Sequence, residues 1–289
     1  MAFIKTLWSD AIYLNLYEDK DLNMFFDRSL ESLARQGGNK ITLPTLAVGA
    51  SMSRSDNQSV GSGLPRTPAD VSKSSLDLEI FEYSTDPIII RNVDVVQGDS
   101  ALFNKSVAEV AQIIKEFMLT TIFAHVIGAV DATHRLPFTG STGSKFTFAD
   151  LKNIGKLLDD AKILQNNRFA MLSNSAKDNL FDDTALSNYL AYNQTAIQTG
   201  ALPGLAGFQI ANTALMPLTT GAGVIAGDAT DTKPNVLAWR KEHLHLVVQT
   251  EIEIVGGEDA AYFGGKYAFS TRFGTKLETA KGAAQRYQA

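Results

Sequence analysis

The sequence predicts an α+β fold. Two strand-like segments flank a long polar stretch at residues 49–75. One helical pattern then runs unbroken across 100–130, and short helices and strands alternate from Thr147 to a strand-rich end.

In chain order, Leu22, Phe25, Phe26, Ser29, Leu30 and Leu33 recur at helical spacing and predict one short amphipathic helix, stopped at Gly37-Gly38. Residues 40–48 read as a strand whose Pro44 suits a sheet edge. Residues 49–75 are rich in Ser, Gly, Pro, Arg, Asp and Asn, with Met52, Val60, Leu64 and Val71 as their few large apolar side chains. Leu76, Leu78 and Ile80 alternate with Asp77 and Glu79, the period of a half-buried strand, and 88–96 is a further apolar strand. A loop of that length without core residues is functional or disordered as a rule, and it predicts a protruding two-stranded arm.

Val107, Val110, Ile114, Phe117 and Thr121 mark the long helix, with Ala111, Met118, Ile122 and His125 alongside and Asp99 or Ser100 as its cap. Its length is about 45 Å at 1.5 Å per residue. The C-terminal half is apolar nearly all round and should be covered on most sides, with His125 lining the core against a backbone partner. A loop at 131–145 follows. Leu151, Ile154, Leu157, Leu158 and Ala161 predict a helix capped by Thr147 or Asp150. Residues 168–172 form a short buried strand, and Ser173 or Ser175 caps a helix through Leu180. Residues 185–192 carry a further helical pattern, 208–211 a strand after the turn at 204–207, and 217–234 a soft loop. Strands are expected at 236–239, 243–255 and 266–273.

The balance of 45% hydrophobic and 20% charged residues is that of an ordinary globular chain. No cysteine is present, which removes disulfides, thiolate metal sites, iron–sulfur clusters and cysteine nucleophiles. A net charge of −5 with both signs scattered argues against a basic nucleic-acid face. No segment reads as a signal peptide, and the best apolar run, 117–130, falls short of the roughly 20 residues a membrane span needs. The expectation is a soluble intracellular product.

Catalytic motifs fail one by one. Gly221, Gly223 and Ala226 fit a dinucleotide fingerprint, with Glu242 downstream, but Gly227, Asp228, Asp231 and Pro234 cannot build the helix that would hold a pyrophosphate. Gly264-Gly265-Lys266 misses the phosphate-loop pattern, since Ala260 replaces the first glycine and Tyr267 the Ser or Thr. Residues 49–53 miss the serine-hydrolase elbow at Ser53. His243 and His245, read within one strand, share a face, with Glu251 as the nearest carboxylate of matching parity; His125 or His134 would have to complete a metal site. Asp159-Asp160 and Asp182-Asp183 read as solvated faces or helix caps. No catalytic, metal or cofactor residue is assigned.

The order of parts resembles the major capsid proteins of tailed phages, a fold also used by encapsulins and herpesvirus capsid floors. The residues that carry the resemblance are residues 37–44 (GGNKITLP), similar to the turn and strand entering the family's extended loop; Arg168 to Ser173 followed by a short helix; the Gly200–Ile210 pattern G-x-L-x-x-L-x-G-F-x-I; and the paired strands around 240–253 and 267–278, with Arg272-Phe273-Gly274. The resemblance implies an N-terminal arm and first strand at 1–48, an extended loop at 49–75, a peripheral domain at 76–149 with spine helix 100–130, an axial domain at 150–234, and closing strands at 235–289 that return to the peripheral domain. Arg54, Asp56 and Arg66 would carry the loop's inter-subunit contacts.

What the resemblance implies for function is a non-enzymatic shell subunit, assembling as hexamers and pentamers of a virion capsid in the host bacterial cytoplasm. Portal, a separate scaffolding protein and decoration proteins are the implied partners, with DNA enclosed but not gripped. Some members cross-link through a loop lysine, and no lysine lies between Val48 and Asp70. The alternatives are an encapsulin-type shell, a nucleotide- or metal-dependent enzyme using the Gly221 loop or the His243/His245 pair, and a tail or sheath component.

Overall fold

The computed structural model describes residues 20–35, 38–48, 71–91, 100–140, 145–186, 204–249, 253–259 and 264–289. Two short helices, α1 (Lys20–Phe25) and α2 (Glu31–Ala34), precede strand β1 (Lys40–Val48). β1 pairs antiparallel with β2 (Val71–Glu79) over nine residue pairs, from Lys40↔Glu79 to Val48↔Val71. The strands that flank the polar stretch therefore pair as a two-stranded ribbon, with Pro44 opposite Ser75, and the second strand begins at Val71, within the 49–75 read as loop.

A five-stranded sheet is organised around the 14-residue strand β11 (Gly264–Leu277). β10 (Glu253–Asp259) lies along one side of it, and β3 (Phe81–Ser84), β4 (Ile88–Arg91) and β9 (Leu244–Val248) also pair with it, all antiparallel. The long helix α3 (Ser100–Ala129) packs on this sheet, burying Val110, Ile114, Met118, Ile122, Phe123 and Val126. By length and composition Glu109–Ala129 is apolar enough to cross a membrane, because Val110, Ala111, Ile113 and Ile114 extend the run beyond the 117–130 read from sequence. Half of it is buried within the fold, so core packing accounts for its apolarity.

The second sheet has the order β5-β12-β8-β6-β7, built from β5 (Arg135–Pro137), β6 (Arg168–Ser173), β7 (Gln209–Thr213), β8 (Asn235–Arg240) and β12 (Ala283–Tyr287). Its central strands are buried on both faces. Phe169, Met171, Leu237, Trp239 and Ala283 face the core that contains α3, while Ala170, Leu172, Val236, Ala238 and Ala284 face a core shared with α4 (Phe148–Asp160) and α5 (Asn174–Phe181). Alternation along each strand thus feeds two cores, and the sheet is the layer between them. Thr147 caps α4 in a capping box with Asp150, as one of the two expected caps. Residues 235–289 contribute strands to both sheets: β8 and β12 to this one, β9, β10 and β11 to the other.

Three expectations are corrected. The single helix expected over Leu22–Leu33 is broken, because Asp27 leaves the helix to bridge strand β9, donating to the Leu244 carbonyl and accepting from Leu246. The strand expected over 243–255 begins instead with a 3₁₀ turn, Lys241–His243, and β9 ends at Val248. The final strand β12 was not foreseen, since Gln285 and Arg286 hide its burial from any hydrophobic pattern. The helical pattern at 185–192 lies mostly outside the described residues.

Phe123 is fully buried against Trp239, with ring centroids 6.3 Å apart, at the junction of α3 and the second sheet. Phe123→Ala is expected to lose about 3–5 kcal/mol of stability, read as a lowered midpoint in chemical unfolding, whereas Phe117→Ala on the exposed face should lose far less.

Candidate assembly surface

The root of the arm is fixed by a small number of contacts. Lys40 and Asp77 form an ion pair of 2.7 Å across the ribbon, and the Thr42 hydroxyl donates to the same carboxylate at 3.0 Å. The Lys40 ammonium, and then Thr42, hold the Asp77 carboxyl below its ordinary range, while Asp77 raises Lys40. Ile80 donates to the Asn39 carbonyl, and Gln249 donates to the carbonyls of Ala34 and Gly38. Gly38 has φ +113°, a conformation that glycine alone adopts without strain.

The tightest approach is at Gly274, where β11 passes beneath the arm root. A Cβ there would run into the Glu79 carbonyl and the Leu78 side chain. The residue therefore has to be glycine for the ribbon to sit where it does. Nothing local to Arg272-Phe273-Gly274 signals this role, because the partner backbone, at Glu79, is far away in the sequence.

Between the arm root, β3, α3 and β11 lies a cleft of about 420 Å³. Phe81, Tyr83 and Phe273 supply its aromatic side, and Thr121, His125, Lys276, Asp77 and Glu79 its polar side. Tyr83 stacks on Phe273 at 4.5 Å and meets Phe117 edge-on at 5.1 Å. His125, expected to find a backbone partner, instead leaves its buried Nε2 without one. Burial, and then the Lys276 charge, push its pKa below the ordinary 6.5.

The metal and nucleotide candidates come apart. His243 lies in the 3₁₀ turn, 2.6 Å from Glu278, and His245 lies in β9, 3.0 Å from Asp27, so each imidazole has its own carboxylate. Among the described residues no group of three or more potential ligands converges. Gly221 and Gly223 sit in a turn closed by a bond from the Thr220 amide to the Val224 carbonyl, and the Ala226 and Gly227 amides are taken by Asp231. Asp159 pairs with the buried Arg168 at 2.7 Å, and Asp183 accepts from the Phe148 and Ala185 amides. These are structural roles. Arg54, Asp56 and Arg66 lie outside the described residues.

His125 gives a prediction with a definite sign. Because its folded pKa is lowered, the unfolded chain binds more protons as pH falls below 6.5, and stability drops through that window. His125→Gln should show a shallower loss of unfolding free energy between about pH 7.5 and about pH 5.5 than the parent, measured by urea titration at each pH. An unchanged slope would assign the acid sensitivity elsewhere.

No protein-family model and no curated protein matches the sequence. Solved structures do. The chain is similar to the capsid structure of the cyanophage P-SCSP1u, with a TM-score of 0.65 and 14% identity over 88% of this chain and 84% of that one. It is similar to the capsid of Ralstonia phage GP4, with a TM-score of 0.64 and 9% identity over 92% and 90%. It is also similar to the SrpI encapsulin of Synechococcus elongatus PCC 7942, with a TM-score of 0.53 and 11% identity over 76% and 78%. The chain has the fold that these phage capsid structures and an encapsulin share.

Proposed function

We propose that this chain is the major capsid protein of a tailed bacteriophage, a structural and non-catalytic subunit of an icosahedral shell that encloses phage DNA. The observation that carries the reading is a match to phage capsid structures that is nearly full-length in both directions. The ribbon arm supports it, since nine residue pairs lead out to a long polar insert. In this reading the subunits form hexamers and pentamers in the host cytoplasm and reside in the virion. Portal, a separate scaffolding protein and decoration proteins are the expected partners.

Residues 49–75 are the extended loop, and Arg54, Asp56 and Arg66 supply charges to a neighbouring subunit. Helix α3 is the spine of the peripheral domain at 76–149, the α4/α5 side of the second sheet belongs to the axial domain at 150–234, and residues 235–289 close both. The encapsulin alternative rests on a match with less of either chain covered and a lower TM-score.

Two experiments test this. Electron microscopy of the protein expressed alone, and with its neighbouring genes, should show closed icosahedral particles; DNA inside them favours the phage reading and its absence with bound cargo the encapsulin one. Small oligomers only, in both preparations, would refute the shell. Replacing residues 49–70 with a two-residue turn, which joins the paired ends Val48 and Val71, should leave a folded subunit unable to close shells. Normal particles from that deletion would show that the arm is not an assembly element.

A further inference from the structure

We propose that a row of buried polar side chains on the second sheet is a hydration site, holding ordered water between the sheet and the segment that follows β7. The row crosses four strands. Arg135 of β5 pairs with Gln285 of β12, and Gln285 pairs with Leu237 of β8. Asn235 stands two residues from Leu237, on the same face of that strand. Ser173 of β6 lies one position beyond the Leu172↔Val236 pair, which sets it beside Asn235. Ala283, Leu237 and Met171 are two residues from Gln285, Asn235 and Ser173, and all three belong to the core that contains α3, so the row faces that core. Arg135 agrees, because its guanidinium donates to the Ile127 carbonyl near the end of α3 at 2.6 Å.

These groups are shut away from solvent and short of partners. Gln285 and Asn235 have no exposed surface, and Ser173 is 7% exposed. Among the described residues, the buried Gln285 Nε2 and Oε1, Asn235 Oδ1, Ser173 Oγ and Arg135 Nε find no hydrogen-bond partner. The Asn235 amide is fixed in orientation, since its Nδ2 donates to the Pro217 carbonyl at 2.6 Å, so its unpaired atom is the oxygen. Buried polar groups without a partner are rare, and each one left dry would weaken the folding equilibrium about tenfold.

Donors and acceptors together select the occupant. The Arg135 Nε and Gln285 Nε2 only donate, the Gln285 Oε1 and Asn235 Oδ1 only accept, and the Ser173 hydroxyl does both. An anion would leave the two amide oxygens unmet, and a cation would be repelled by the Arg135 guanidinium. Water donates and accepts, and it is small enough to lie beside the buried Leu237, Met171 and Met216. Directly paired residues on neighbouring strands are about 5 Å apart, and diagonal ones such as Gln285 and Asn235 about 7–8 Å. One bridging water spans each such gap, so about two waters link Gln285 to Asn235 and Asn235 to Ser173, with Arg135 at the end of the row. Pro217 and Met216 close the site from above, which makes the joint between this segment and the sheet a wet one.

The row lies within one subunit, so its test is independent of the shell reading. Gln285 and Ser173 are separated by β8, about 10 Å, and substitutions at that distance add unless something between them couples them. In a double-mutant cycle of Gln285→Met and Ser173→Ala in the full chain, followed by urea unfolding, linked waters should give a coupling of about fivefold in the unfolding equilibrium constant. An experimental density map of the unsubstituted protein, at a resolution that shows internal water, should carry ordered density within hydrogen-bond reach of Gln285 and Asn235, a readout that needs no variant to fold. Additive effects in the cycle would overturn the proposal. So would a map with water elsewhere in the interior and none along the row.

Discussion

Burial of one indole couples the parts of this fold. Trp239 lies in β8 with no exposed surface, and a buried indole N–H requires an acceptor. The acceptor is the Phe25 carbonyl at 3.0 Å, supplied from the N-terminal segment, while the Phe26 ring stacks on the indole at 6.0 Å. Phe123 of the long helix also packs against it, tilted, with centroids 6.3 Å apart. The N-terminal segment, the helix and the second sheet are thus held in one arrangement by a single side chain. The break between α1 and α2 follows from it, since a continuous helix would carry Asp27 away from its bridge to β9 just after Phe25 and Phe26 reach the indole.

That coupling explains which elements were legible in the sequence. The long helix, the alternation of Leu76 to Ile80, the Thr147 cap and the buried strand at Arg168 are local features, and each was readable from spacing or capping chemistry. Asp27 was not, because a tertiary β-bridge overrides a helical pattern that is sound by itself. β12 was not, because its burial is shared among Gln285, Arg286 and two alanines, which form no apolar run. His243 and His245 were read as one strand face, whereas a 3₁₀ turn ends between them and rotates the first toward Glu278.

The candidate surface was less legible than the fold. Its cleft draws Phe81, His125 and Lys276 from three elements, and no spacing connects residues that meet only after two strands and a helix have packed. Gly274 shows the limit most clearly. A glycine inside a strand can mark a close backbone approach, but the sequence does not say what approaches. The order of parts carried the resemblance to a capsid fold; the role of Gly274 comes from the packing.

The arm is a ribbon of two strands, β1 and β2. An isolated two-stranded ribbon is marginal in water, and this one has no third strand along its length among the described residues. Its root contributes little by charge, because the Lys40–Asp77 pair is solvent-exposed and water screens it. What holds the root is shape: Leu78 buried beside Ala34, Ile80 and Val247, and a glycine beneath it. Beyond Val48 and Val71 nothing in the polar composition supplies a core. In the shell reading that weakness has a use. A ribbon anchored rigidly at one end and marginal at the other gains its remaining order from the surface it meets, so completing the fold and joining a neighbour become one event.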